Sequence, residues 1–293
     1  MAQTRELRRR IKSVENTRQI TRTMEMVATS KLKRAQDRVV AARPYAEALA
    51  QVIGDLYDPA LAEQFPLLRH PKSDTRRVAL VGLTSNRGLC GGFNANLIKL
   101  TRVRAAELED EGVTVELHLI GRKGVGYFRY VGRKMSTAID DMSDRPSMHD
   151  AARVIEPLVQ RFEQGELDAV ELVFAKFVSA MTTPPTITRV LPVEVQSVKS
   201  GEAPGSKRQP NYLLKPSAEE IVGAVLPLYV RNQMYRALVE TSAAEQGARR
   251  TAMKSATDNA GEMLDKLRRT FNRARQAQIT QELAEIVGGA EAL

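Results

Sequence analysis

Residues 81–94, VGLTSNRGLCGGFN, are the stretch best suited to chemistry, because a β-rich run leads through four glycines into a helical pattern. A strand, a glycine loop and a helix N-terminus can together cradle a phosphate, since exposed N–H groups and the helix dipole attract anions. The run carries neither the Lys-Ser/Thr pair of a Walker loop nor a GxGxxG, so we read it as a turn that allows close backbone approach. GRKGVG at 121–126 is a weaker version of the same signal, with no carboxylate placed for magnesium. Cys90, the one cysteine, has no histidine within 19 residues on either side and is expected to be a small buried hydrophobe rather than a nucleophile. A single thiol also excludes an intramolecular disulfide and a cysteine-based zinc cage, and it suits a reducing compartment. The histidines, His70, His118 and His149, lie far apart, and His118 reads as a packed or surface imidazole in an alternating strand. The carboxylates Glu107, Glu109, Asp110 and Glu111, and Asp140, Asp141 and Asp144, read as solvated charge at helix ends and turns. No catalytic, cofactor or metal site is expected from these patterns. With 7 Tyr, 7 Phe and no Trp, a base-stacking surface for nucleic acid is weak as well.

The elements around these residues are set by where helix breakers and charges fall. All 13 prolines lie between Pro44 and Pro227, which leaves both ends of the chain free to be helix. Residues 1–43 hold 12 Lys/Arg against 4 Asp/Glu and residues 231–293 hold 10 against 8, so the net charge of +9 resides on the ends. At the N-terminus, Leu7, Ile11, Val14, Thr17, Thr21, Met24, Ala28, Leu32, Ala35, Val39 and Ala42 recur at steps of three and four, the spacing of one helical stripe. The stripe resumes past Pro44 as a kinked continuation through Leu49, Val52, Ile53 and Leu56, until Pro59 and Pro66 end it. Roughly 50 residues at about 1.5 Å each make a rod of about 75 Å.

The C-terminal helix opens with Ser217 and Glu220 spaced as a capping box and closes at Gly288 and Gly289, a rod of order 100 Å. Its expected seam is Val225, Leu228, Tyr235, Val239, Ser242, Gln246, Arg249, Met253, Ala256, Ala260, Met263, Leu267, Thr270 and Ala274. So many small members favour close antiparallel pairing with the N-terminal rod over a leucine zipper, with the longer C-terminal rod projecting beyond it. Between the rods, residues 77–83, 113–120, 168–178 and 186–195 read as strands, and helical patterns at 94–110, 123–131 and 148–164 separate the first three. That alternation predicts an α/β layer with a mostly parallel, Rossmann-like sheet. Residues 197–211 are polar and turn-rich and read as a loop. The expected division is 1–58 as N-terminal coiled-coil helix, 76–211 as central α/β domain and 217–287 as C-terminal coiled-coil helix. No apolar run approaches the roughly 20 residues of a membrane span. The opening MAQTRELRRRIKSVEN lacks the apolar core of a signal peptide, so a chain neither integral to a membrane nor secreted by that route is expected.

RQITRTMEMVATSKLKRAQDR (18–38) and the whole run from Arg249 to Leu293 resemble the two ends of the gamma subunit of F-type ATP synthases. VALVGLTSNRGLCGGFN resembles the start of that family's central domain, so the resemblance spans essentially the full chain. It implies a central rotor shaft: an antiparallel coiled coil turning inside a hexamer of alpha and beta subunits, with an α/β domain that stands, with the epsilon subunit, on a membrane ring of c subunits. Catalysis would then belong to beta, with this chain a single non-catalytic copy that binds no cofactor. A peripheral place on the cytoplasmic side of a bacterial plasma membrane follows from the same resemblance. Arg275, Gln276, Thr280 and Glu282 match family positions that contact beta loops. Met24 matches a position facing the acidic lever loop of beta, although Thr23 stands where alanine is commoner, and Lys31, Lys33 and Arg34 would face the same acidic loops. Tyr212 matches a position near the c ring, while Leu214 and Lys215 depart from the tyrosine and acid of some bacterial members. The cysteine-bearing insert of chloroplast members is missing, so no thiol switch is expected. The residues also leave two other readings, a Rossmann-like nucleotide-binding enzyme and a basic coiled-coil protein that binds nucleic acid.

Overall fold

Two long helices, α1 (Ala2–Leu56) and α5 (Ala218–Glu291), frame the fold. The computed structural model describes residues 2–56, 64–68, 76–193 and 217–291. Between the helices run a 3-10 turn (Pro66–Leu68), β1 (Arg77–Leu83), α2 (Phe93–Asp110), β2 (Thr114–Ile120), α3 (Arg122–Tyr130), β3 (Thr137–Ile139), α4 (Met148–Glu163), β4 (Ala169–Ala175) and β5 (Pro185–Leu191). Helix α1 passes through Pro44 and reaches Leu56. Helix α5 starts after Ser217, whose Oγ accepts from Glu220 N at 3.2 Å as the capping spacing predicts. The turn-rich segment 197–211 and Tyr212, Leu214 and Lys215 lie outside the described residues. Both long helices contribute to each of two compact units, Met1–Ser30 with Arg249–Leu293, and Lys31–Ala248.

The first unit is an antiparallel helix pair. Thr21 and Thr257 share a hydrogen bond of 2.8 Å, Arg8 lies 5.6 Å over the Phe271 ring, and Thr4 Oγ1 donates to Gln278 Oε1 at 3.2 Å. The inward face of α5 here is Met253, Thr257, Ala260, Leu264, Leu267, Phe271 and Ala274, alternating steps of four and three. This corrects the expected seam, since Met263 is 52% exposed and Thr270 is exposed, while Thr257 and Leu264 are buried in their place. The reason is helical phase: the seam keeps Met253, Ala260 and Leu267 but passes through the residue after Ala256, Met263 and Thr270. On α1, Leu7, Ile11, Val14, Thr21 and Met24 are half-buried and Ala28 is buried, whereas Thr17 is exposed.

The second unit is a five-stranded sheet in the order β3-β2-β1-β4-β5, in which the β3-β2, β2-β1 and β1-β4 pairs are parallel and β5 runs antiparallel to β4. β3, three residues long, goes unread in the sequence because so short a run has no alternation to show. Ala79, Val81 and Leu83 of β1 enter one core with α4, while Leu80 enters the other with α2 and α3. A strand buried on both faces needs a near-continuous apolar run, which RVALVGL supplies after Arg77 and AVELVFA supplies apart from Glu171. Both long helices join both cores. Leu49 and Ile53 of α1 and Leu226 to Leu238 of α5 pack with α4, whereas Leu32, Ala35 and Val39 and then Val239, Ala243 and Ala244 pack on the other side. From Tyr229 to Gly247, α5 is therefore buried around much of its circumference, and its expected single seam there gives way to core packing; Leu228, expected in it, is 40% exposed.

Candidate functional site

In an open α/β sheet, ligands bind beyond the carboxyl ends of the parallel strands, at the crevice where strand order reverses. Here that crevice lies between β1 and β4. Many of its polar groups are already engaged by the chain itself, although the buried Thr241 Oγ1 beside it has no hydrogen-bond partner. At the start of α3, Arg122 N donates to Asn86 Oδ1 (3.0 Å), Lys123 N to Ser85 O (3.1 Å) and Gly124 N to Thr84 Oγ1 (2.9 Å). Thr84 Oγ1 also donates to Ile120 O at 2.9 Å. The glycine loop is closed from within, because Ser85 N donates to Asn94 Oδ1 (3.0 Å) and Asn96 N to Gly92 O (2.9 Å). Gly121, at φ +99°, is where the two βα turns meet: a Cβ would stand 2.1 Å from Thr84 O. The close backbone approach is made by Gly121, whereas Gly88 and Gly92 of the glycine loop meet only side chains at ordinary distances, and the engaged N–H groups leave a phosphate no free cradle at α3.

Beyond β4 the crevice is filled by α5. The buried Glu240 accepts from Phe177 N at 3.0 Å through Oε2, and from Arg236 Nε at 2.7 Å through Oε1. Gly247 lets the β4–β5 turn rest on α5, since a Cβ there would stand 3.0 Å from Ala180 O. What remains is a cavity of about 40 Å³ lined by Thr84, Ser85, Asn86, Met142, Asp144 and Thr241 among others. At roughly 10–15 Å³ per water it holds a few waters and no nucleotide.

The titratable groups complete structural networks. Cys90 is buried, and Asn94 Nδ2 donates to its sulfur at 3.2 Å. His118 is buried with Nδ1 2.9 Å from Thr137 Oγ1, and burial holds its pKa below the usual histidine value. The hydrogen bond from Arg161 holds Glu116 below the ordinary carboxylate range. Part of the acidic clustering that reads as solvated is ion-paired: Glu109 with Arg133, Asp141 with Arg153 at 2.6 Å, and Asp144 with Lys31 at 2.8 Å. Among the described residues no group of three or more His, Cys, Asp or Glu is placed to hold a metal ion.

Of the partner-contact residues singled out by the family resemblance, Tyr212 lies outside the described residues and the others lie on the long helices. Arg275, Gln276, Thr280 and Glu282 form one exposed stretch of α5, in which Thr280 Oγ1 donates to Gln276 O (3.0 Å) and Gln278 Nε2 to Glu282 Oε1 (2.8 Å). The contact of Thr4 with Gln278 shows that α1 still runs alongside α5 at Arg275 and Gln276, which are exposed beside it rather than on a part of the C-terminal rod that projects beyond it. Met24 is half-buried in the first unit's helix pair. In the second unit, Lys33 pairs with Asp37 at 3.1 Å, Arg34 is exposed and Lys31 pairs with Asp144. Ile279, Leu283, Ile286 and Val287, which are not among the positions the resemblance marks, form a stripe of exposed apolar residues along the last turns of α5. Their spacing of four, seven and eight is a visible helical signal, on the face that points away from the inward seam.

A family profile described as ATP synthase matches residues 3–293. The chain is 61% identical to an ATP synthase gamma chain of Gemmatimonas aurantiaca, over 100% of this chain and 99% of that one. It is 44% identical to that of Frankia casuarinae, over 99% of this chain and 98% of that one. Among solved structures it is similar in fold to a chain of the Euglena gracilis mitochondrial ATP synthase OSCP/F1/c-ring, with TM-score 0.67 at 22% identity, covering 99% of this chain and 94% of that one. A chain of the Tetrahymena thermophila mitochondrial ATP synthase central stalk and c-ring gives TM-score 0.62 at 23% identity, covering 81% of this chain and 99% of that one.

Proposed function

The chain belongs to the ATP synthase gamma-chain family, and from that premise we propose that it is the central shaft of an F-type ATP synthase, coupling ion flow through a membrane c ring to conformational changes at catalytic sites on other subunits. It is a subunit of a membrane-associated complex, and kinship over the whole chain is the observation that carries the reading. In this reading residues 1–58 and 217–287 are the shaft and 76–211 the domain at its foot. The shaft turns within a hexamer of alpha and beta subunits, and the foot meets epsilon and the c ring, one copy per complex. No helix among the described residues is long and apolar enough to cross a membrane; in this reading the chain is a peripheral subunit on the cytoplasmic side of a bacterial plasma membrane.

The helix pair supports this reading because its outer face offers what a sleeve of partner subunits could grip. Ile279, Leu283, Ile286 and Val287 give an apolar stripe beside Arg275, Gln276, Thr280 and Glu282, and exposed apolar surface of this kind marks contact with another chain. Met24, Lys33 and Arg34 would meet acidic loops of beta, and Tyr212 the c ring. The self-filled crevice supports a non-catalytic role, with hydrolysis residing in beta. The test is purification of this chain with its alpha and beta partners, followed by ATPase assays of the complex and of the isolated chain. The reading expects a stable complex with one copy of this chain and no hydrolysis by the chain alone. Failure to co-assemble, or hydrolysis by the chain itself, would overturn it.

A further inference from the structure

The segment between β3 and α4 is tied to three other parts of the second unit. Asn86 Nδ2, from the glycine loop, donates to Met142 O at 2.6 Å. Two residues on, Lys31 Nζ of α1 stands 2.8 Å from Asp144 Oδ2, while Ser242 Oγ of α5 donates to Asp144 O at 3.1 Å. One residue thus meets α1 through its carboxylate and α5 through its carbonyl, at sequence separations of 113 and 98.

Both long helices pack into the two cores, but beside this contact the packing is incomplete. The cavity of about 40 Å³ lies beside Asp144, Thr241 and Ser242, and Thr241 Oγ1, buried there, has no hydrogen-bond partner. Apolar contact is non-directional and tolerates rotation of a helix about its axis, whereas a charge-assisted hydrogen bond fixes where a residue points. The Lys31 and Asp144 side chains are 40% and 35% exposed, so their pair adds little to folding stability. A contact that contributes little to folding but is directional toward both long helices is suited to holding them under load.

We propose that Asp144 is a positioning residue that latches residues 31–56 of α1 and 218–248 of α5 to the α/β domain, with Lys31 acting through it inside this chain rather than on an acidic loop of another subunit. The inference rests on the shaft reading, because only a shaft carries torque between its helices and its foot. The test uses the complete synthase in liposomes, energised with a proton gradient and in parallel with a sodium gradient, carrying K31D, D144K or both. Each single variant is expected to assemble and hydrolyse ATP within about twofold of the parent, as a part-exposed pair allows. The ratio of ion-driven synthesis to hydrolysis should fall about threefold or more in each, the scale that a fraction of a kcal/mol to 1 kcal/mol supports, and the double variant should recover it. Unchanged ratios in both single variants overturn the latch. Loss in K31D without loss in D144K, or no recovery in the double, assigns Lys31 to another subunit and overturns it too. If a charge reversal prevents assembly, D144N and K31M provide the same comparison: both should lower the ratio, and normal ratios in both are contrary. Failure of the parent chain to support any synthesis would instead reject the shaft reading itself.

Discussion

Glu171 on β4 is 2% exposed, with Arg104 Nε 2.8 Å and Arg189 Nη2 3.0 Å from its carboxylate. Burial works against its charged form, but the hydrogen bonds from Arg104 and then Arg189 outweigh it and hold the carboxyl below the ordinary value of 4.5. A depressed folded-state pKa means that this stabilisation is present above the unfolded value and is lost as pH falls through the folded one. E171Q should therefore cost about 3 kcal/mol at pH 7, because two guanidinium groups lose their counter-charge, and the deficit should shrink steadily below about pH 4. Urea unfolding of both proteins at pH 7 and at pH 3 checks this, and an equal deficit at both pH values would contradict it. None of this was legible in the sequence. Glu171 reads there as one polar residue in an apolar strand, and its partner Arg104 lies 67 residues away. Cys90 was legible, because a lone thiol among glycines with no nearby histidine has one ordinary use, and it is buried at 3% exposure.

The long helices were legible as elements, because proline exclusion and a three-four stripe need only local sequence. Their packing was legible on α1, where Leu7 to Val39 alternate against charged faces, and less so on α5. There the residues at 256 and 257, 263 and 264, and 270 and 271 offer two adjacent stripes of similar polarity, and burial selects Thr257, Leu264 and half-buried Phe271. This phase gives a prediction: A260L, at a buried seam position, should destabilise the helix pair by about 1 to 3 kcal/mol through overpacking. A256L, at a half-buried position beside the seam, should cost clearly less. Thermal melts of the two variants decide it, and an equal or larger loss for A256L would return the seam to the other stripe. Earlier in α5, residues 229–247 show no single seam because a helix wedged between two cores has little exposed face left to alternate with.

At the scale of the molecule, the family was legible because its signature runs are long, covering both ends of the chain and the start of the central domain. How the crevice is filled was not, since Glu240 caps the turn after β4 from 63 residues away. Arg275 and Gln276 are exposed, so R275A and Q276A should leave the melting of the isolated chain within about 0.5 kcal/mol of the parent. In the assembled complex each should change ATPase or synthesis severalfold, as loss of a charged or polar partner contact worth about 1.5 to 3 kcal/mol allows. Normal rates and coupling in both variants would remove these residues from the working surface.

The central claim is that this chain turns while catalysis proceeds elsewhere, and rotation can be watched directly. Met181 is 91% exposed and Cys90 is buried, so M181C accepts a thiol-linked bead or rod with little competition from the native cysteine. With the beta subunits fixed to a surface and ATP supplied, the probe should rotate continuously in one direction, at a rate that follows ATP hydrolysis and stops when ATP is removed. A complex that hydrolyses ATP at full rate while the probe stays still would contradict the account.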